Sequence, residues 1–474
     1  MEAISVPDTP AGRRASEWLE CFGCGEFDPL REFAAQRSRP SALAERSAER
    51  QATWQSALHR TTGGLVPTQV EHSTETDLAL LVRARLTGEW LRVSLAVDGD
   101  SPHLIEGFAV WFLAPWEPPF GPALSEPELV QEFGAFVERL AEGGCFSGAV
   151  LLAHGDERRL ECAHGMARRE DGIPNRPDTR FNLASLNKMF TGVAVAQLAQ
   201  DGRLGFGETI GQHLPDYPEA VAQKITVHQL LTHTSGLNGF FSDELKASHA
   251  TVKEVSDYLP LFADEPLLFE PGTRVAYSNA GYAVLGALIE TVSGQRYHDY
   301  VREHIFTPAG MADTDSYELT SDDPTLAIGY TRGNPDAGSG PENGLQSNIG
   351  NWALPPRGGP FGCGFSTIGD LHRFGQALLG HHLLSPKLTG LVLSPKVQMD
   401  PQRSYGYGFE ERRVGGLRSI GHGGGAPGAN ARLSLYPELG DTLVVLSNFD
   451  PPIADRIADH ERRLRCAQRA AGSV

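Results

Sequence analysis

Lysine is scarce in this 474-residue chain: six lysines stand against thirty-five arginines, and none of the first 187 residues is lysine. Arginine serves wherever a plain positive charge is enough, but it does not lose its proton in a protein, whereas a desolvated lysine becomes a neutral amine. Each lysine here therefore carries more information than one in an average chain. Long apolar runs are also missing: no stretch of eighteen apolar residues occurs, which removes a membrane-spanning helix. The N-terminus, from Met1 to Arg14, has no apolar core, so neither a leader nor an anchor is expected, and a cytoplasmic protein is. Six thinly spread cysteines are too few for a disulfide-built fold. Cys21-x-x-Cys24 has no second pair to complete a metal site, and the sixteen histidines include no His-x-x-x-His, so no metal and no cofactor are expected. Basic charge is deficient as well: a net charge of −18 weighs against nucleic acid or an anionic membrane as a partner.

What is present is a globular composition, 40% hydrophobic and 21% charged, in a chain long enough for two domains. Residues 115–127 hold five prolines and read as a stiff linker. Before it, a tail over 1–20 precedes a small α+β domain over 21–114. There, one helix opens at Asp28-Pro29 and a second runs from Ser41 to Gly63-Gly64. Three alternating runs follow, Leu78–Leu86, Leu91–Val97 and Ile105–Leu113. This order of elements resembles the cystatin-like cone fold of nuclear transport factor relatives. No catalytic constellation lies in it, so docking, substrate gating or a homodimer through this domain are the roles it suggests.

Beyond the linker, residues 128–474 read as an antiparallel sheet built from both ends of the segment, with a mostly helical middle. Phe146–Ala153 and Arg159–Ala163 form a hairpin across Gly155-Asp156; Tyr407–Val414, Ala431–Tyr436 and Thr442–Ser447 supply later strands, and Ala454–Ala467 closes as a helix. The Gly333–Gly350 loop is expected to overhang the site.

Ser185-Leu186-Asn187-Lys188 offers a nucleophile and a base one helical turn apart, at the start of an apolar helix over Met189–Leu198. A serine there meets free N–H groups that favour developing negative charge. Taken alone, the tetrapeptide also fits a helix-capping serine followed by a solvated lysine. Tyr277-Ser278-Asn279 could relay a proton and hold the lysine or a substrate amide. Gly421-His422-Gly423-Gly424-Gly425 would let a ligand approach the backbone, as an oxyanion hole requires, and fits a flexible Gly-rich hairpin equally well. His233, in Leu-Leu-Thr-His-Thr-Ser-Gly-Leu, reads as structural.

Together, Ser-x-x-Lys, Tyr-x-Asn and His-x-Gly in this order resemble the serine β-lactamase and penicillin-binding protein superfamily. The branch most similar is the class C β-lactamase-related hydrolases, which include esterases and D-amino-acid peptidases. Val227–Leu237 and Gly364–Leu371 add to the resemblance, which covers about residues 128–465. It implies acyl transfer to an ester or amide of a small molecule. Ser185 would be the nucleophile, Lys188 and Tyr277 the proton carriers, and the N–H groups of Ser185 and Gly425 the oxyanion hole; Asn279, His422 and Gly424 would bind substrate. The chain departs from the β-lactamases at His422, where they carry lysine, so recognition of a substrate carboxylate is not expected. An acyltransferase on the same site, a true β-lactamase and a non-catalytic penicillin-binding-like sensor are the competing readings.

Overall fold

The computed structural model describes residues 4–239, 252–332, 344–349, 351 and 354–471. They fall into two compact units. One takes the chain up to Phe146 together with Gly344 and the stretch from Asp459; the other takes the rest of Ser147–Ala458.

In the first unit, helix α1 (Pro10–Cys24) starts on Thr9, whose hydroxyl accepts the Gly12 N–H, and stops at left-handed Gly25. Ala11, Ala15, Trp18 and Phe22 recur at helical spacing and are buried. The expected tail over 1–20 is thus corrected: most of it is helix. Its apolar stripe begins with alanines, which carry too little hydrophobic signal to mark a helix until Trp18. Helices α2 (Phe27–Arg37), α3 (Pro40–Glu45) and α4 (Ala48–Thr62) follow, the break before α4 being capped by Ser47.

Strands β1 (Leu65–Ser73), β2 (Asp77–Ala84), β3 (Trp90–Val97) and β4 (Ile105–Phe112) then form an antiparallel meander in chain order. β1 was not expected, because Pro67 and its polar neighbours hide the alternation; it is an edge strand, exposed toward its end at Glu71–Ser73. The core joins Trp18 and Phe22 to Leu80, Val82, Leu91, Val93 and Leu95. The proline-rich stretch is no free tether. The Arg463 guanidinium donates to the carbonyls of Leu113, Ala114, Glu117 and Pro119 at 2.5–3.2 Å. Helix α5 (Glu126–Glu142) begins after it with a Ser125/Glu128 capping box.

The second unit is built on β5 (Gly148–His154) and β6 (Glu157–His164) and on helices α6 (Asn187–Gln200), α7 (Asn279–Ser293) and α8 (Ile368–Leu379). Strands β7 (Val397–Asp400), β8 (Arg403–Tyr405), β9 (Glu410–Val414), β10 (Leu417–Ala426), β11 (Ala429–Tyr436) and β12 (Asp441–Ser447) follow, then helix α9 (Ile453–Ala471), whose residues from Asp459 belong to the first unit. The eight strands make one antiparallel sheet, ordered β7-β8-β9-β10-β11-β12-β5-β6. β12 pairs with β5, Leu443 opposite Leu152, and so joins the two ends of the segment. The fold is mixed α+β, as expected. Between the long helices the described residues make only short, mostly one-turn helices, and much of the Gly333–Gly350 loop lies outside them.

Helix α6 is apolar nearly all round and buried, Phe190 meeting the rings of Phe306 and Phe374. Gly192 lets the backbone at Tyr407 approach: a Cβ there would lie 2.2 Å from the Tyr407 carbonyl oxygen. No helix among the described residues is long and apolar enough to cross a membrane.

Candidate active site

Ser185 sits in a single 3-10 turn, Ala184–Leu186, that leads into α6. Its side chain caps nothing in that helix, so the serine hydroxyl is left for other work. Lys188, one turn on, is completely buried. Its Nζ lies 3.2 Å from Ser185 Oγ, 2.7 Å from Asn279 Oδ1 and 2.5 Å from the Phe361 carbonyl oxygen. The Tyr277 ring centre is 4.7 Å away. Burial pushes the lysine down to about 7, and the Cys363 thiol opposes that shift.

Tyr277 keeps 45% of its surface open, yet its hydroxyl is within hydrogen-bond reach of Ser185 and set among crowded groups. Burial of the hydroxyl raises the phenol above its ordinary value, and the hydrogen bond with Ser185 opposes the shift. Behind it lies His233, its ring 4.3 Å from that of Tyr277; its Nδ1 accepts the Ser278 N–H at 3.1 Å and so fixes the Tyr277–Asn279 turn. This is the structural part expected of His233.

A cavity of about 270 Å³ opens on Ser185. Asn279 and Gly425 line it, with Leu354, Pro355, Phe361, Cys363 and Pro427. No charged side chain is among its described lining residues. β9 begins at Glu410, opposite Gly421, so β10 runs on from His422 to Ala426 paired, among the described residues, on one edge only, with β11. That bare stretch carries the glycines. A Cβ on Gly424 would lie 2.2 Å from the Leu183 carbonyl oxygen, so the glycine lets the serine turn pack on the strand rather than a ligand.

Two of the expected substrate contacts, Gly424 and His422, lie away from the cavity lining. Gly424 is buried under the serine turn and does not line the cavity. His422 is 2% exposed and has both ring nitrogens engaged: Tyr405 Oη is 2.9 Å from Nε2, and the Gly423 carbonyl meets Nδ1. A carbonyl only accepts, so Nδ1 carries the proton and Nε2 accepts from Tyr405. Burial drives the imidazole down to about 4, partly offset by Glu410. The structure brings Ser185, Lys188, Tyr277, Asn279 and Gly425 together. The sequence reading missed the Phe361 carbonyl and Cys363. Backbone strain marks this neighbourhood too. Of five non-glycine residues with positive φ among those described, Ala184 (45°), His233 (60°) and Cys363 (66°) adjoin Ser185, Tyr277 and the cavity. No group of three or more metal-ligating side chains is placed to hold an ion among the described residues.

Residues 130–468 match the protein family described as Beta-lactamase. Penicillin-binding protein 4* of Bacillus subtilis (strain 168) is 31% identical over 328 residues, 66% of this chain and 70% of the relative. The crystal structure of a penicillin-binding protein from Bacillus halodurans superposes with a TM-score of 0.60 at 28% identity, covering 73% of this chain and 99% of that one. D-amino acid amidase from Ochrobactrum anthropi SV3, complexed with D-phenylalanine, shares the fold: TM-score 0.60, 24% identity, 73% of this chain and 100% of that one.

Proposed function

The chain belongs to the beta-lactamase family, a family of serine hydrolases, and from that premise we propose that it cleaves an ester or amide through an acyl intermediate on Ser185. One observation carries the reading. A neutral lysine amine has two N–H donors and one lone pair. In Lys188 two of the three contacts, Asn279 Oδ1 and the Phe361 carbonyl, can only accept, so the lone pair is left facing the Ser185 hydroxyl. Lys188 takes the Ser185 proton as Oγ bonds to the substrate carbonyl carbon. The carbonyl oxygen becomes an oxyanion held by the N–H groups of Ser185 and Gly425, each such donor being worth roughly 3–4 kcal/mol of transition-state stabilisation. Tyr277, its phenol held protonated, passes its proton to the leaving group as the Lys188 ammonium returns one to it, so acylation leaves the phenol protonated and the amine neutral. Water then attacks the acyl carbon, and the proton path runs in reverse to free Ser185.

The lining favours uncharged substrates. Neither a carboxylate nor an ammonium on the substrate finds a counter-charge among the described lining residues, and His422 is neutral and turned away. Intact-mass measurement and peptide mapping after a slow ester or a fluorophosphonate should place one adduct on Ser185. An adduct that persists in Ser185→Ala would sink the mechanism.

A further inference from the structure

The turn that carries Ser185 is held in a conformation its sequence does not favour. Ala184 (φ 45°) precedes the serine, and Cys363 (φ 66°) lines the same cavity. A residue with a Cβ is disfavoured there by roughly tenfold, so the surroundings must impose it. Asn182 supplies the restraint. It ends the short strand Phe181–Asn182, which pairs with Phe365–Ser366, and is 8% exposed. Its Oδ1 accepts the Ala184 N–H at 2.8 Å, an amide oxygen reaching two residues along the chain. The same side chain lies within hydrogen-bond reach of the Cys363 thiol. The two strained residues are also joined directly, Cys363 N–H donating to the Ala184 carbonyl at 2.9 Å. Gly362 accommodates this approach, since a Cβ there would lie 2.9 Å from the Ala184 carbonyl oxygen. One buried amide thus ties together both left-handed residues beside the serine.

We infer that Asn182 is a positioning residue: it clamps Ala184 in the left-handed region and so aims the Ser185 hydroxyl and N–H into the cavity. The inference rests on Ser185 being the nucleophile. It has a specific consequence. Glycine adopts φ near +45° without penalty, so glycine at 184 should make the clamp dispensable.

The test is a four-protein cycle in the full chain: the unchanged protein, Asn182→Leu, Ala184→Gly and the double variant. Turnover of a neutral p-nitrophenyl ester, fluorophosphonate labelling and thermal unfolding are measured on each. Leucine has the heavy-atom number and branching of asparagine but is bulkier and makes no hydrogen bond, so thermal unfolding reports any cost of packing separately. Asn182→Leu should lower kcat by about ten- to a hundredfold with KM within about twofold, as misaimed nucleophiles do. In the Ala184→Gly background the same substitution should cost less than about threefold. A merely structural asparagine would cost the same in both backgrounds, and that result overturns the inference. So does a folded Asn182→Leu protein with unchanged kcat. Should Asn182→Leu give no soluble protein, Asn182→Ser runs the same cycle, with a smaller loss and the same rescue expected. Labelling retained in Ser185→Ala would instead refute the nucleophile assignment, independently of the cycle.

Discussion

Changing the pH from 6 to 9 reads the protonation of Lys188. With its ammonium pushed down to about 7 by burial, the neutral, proton-accepting fraction is about 9% at pH 6, about half at pH 7 and about 91% at pH 8. A solvated lysine near 10.4 would be only about 0.4% neutral at pH 8 and would gain tenfold per unit through pH 9. The deprotonated form is the active one, so activity is lost as pH falls through about 7. The assay is the second-order rate of Ser185 labelling by an uncharged fluorophosphonate. It should rise about tenfold between pH 6 and 8 and then level off. Lys188→Arg keeps the charge but supplies no neutral amine, and should slow labelling by about 10²–10⁴ and flatten the profile. A unit slope persisting to pH 9, or Lys188→Arg labelling at the original rate with unchanged circular dichroism, would refute the reasoning. The same shift bears on stability. Between about 7 and about 10.4 the unfolded lysine holds a proton that the folded one has released, so this residue's contribution to stability rises with pH across that window.

Two further expectations follow from other parts of the molecule. Because burial holds His422 near 4, acidifying from pH 8 to 6 should leave the preference for a neutral ester over its carboxylate-bearing analogue unchanged; competitive kinetics of the pair measures it, and a preference that shifts toward the anion at pH 6 counts against a sequestered imidazole. Truncation to start at Leu124 removes all four carbonyl acceptors of Arg463. A guanidinium so exposed to loss should lower Tm by several degrees, while any folded fraction still labels at Ser185. Unchanged Tm would show those bonds to be idle, and a folded truncated protein that fails to label would assign the first unit a part in the site.

How far the sequence revealed the site depends on how local each contact is. Ser185 and Lys188 lie on one helical turn, so their meeting follows from spacing alone. Tyr277 and Asn279 needed the family resemblance, because nothing in an ordinary turn before an apolar helix says that Lys188 waits ninety-one residues away. The Phe361 carbonyl was beyond reach for another reason: any residue type supplies a carbonyl. His422 shows a third limit. Its place on β10 was legible, but which way its ring turns is decided by Tyr405, seventeen residues earlier on β8. In the fold, alternation revealed β2, β3 and β4 but not β1, whose Pro67 and polar residues interrupt the pattern.

The lysine scarcity gains a physical meaning at this site. Lys188 is the one buried lysine among the described residues. Burying a side chain that is neutral only above about 7 costs stability that an apolar residue would not, and arginine would cost more because it cannot shed its charge. The position is therefore poor for folding and good for taking a proton from a hydroxyl 3.2 Å away. The serine turn repeats the pattern, with Ala184 held left-handed where glycine would be relaxed. Two neighbouring departures from what stability alone favours, one of charge and one of backbone, converge on the same oxygen atom, and that convergence separates a working nucleophile from a serine that merely begins a helix.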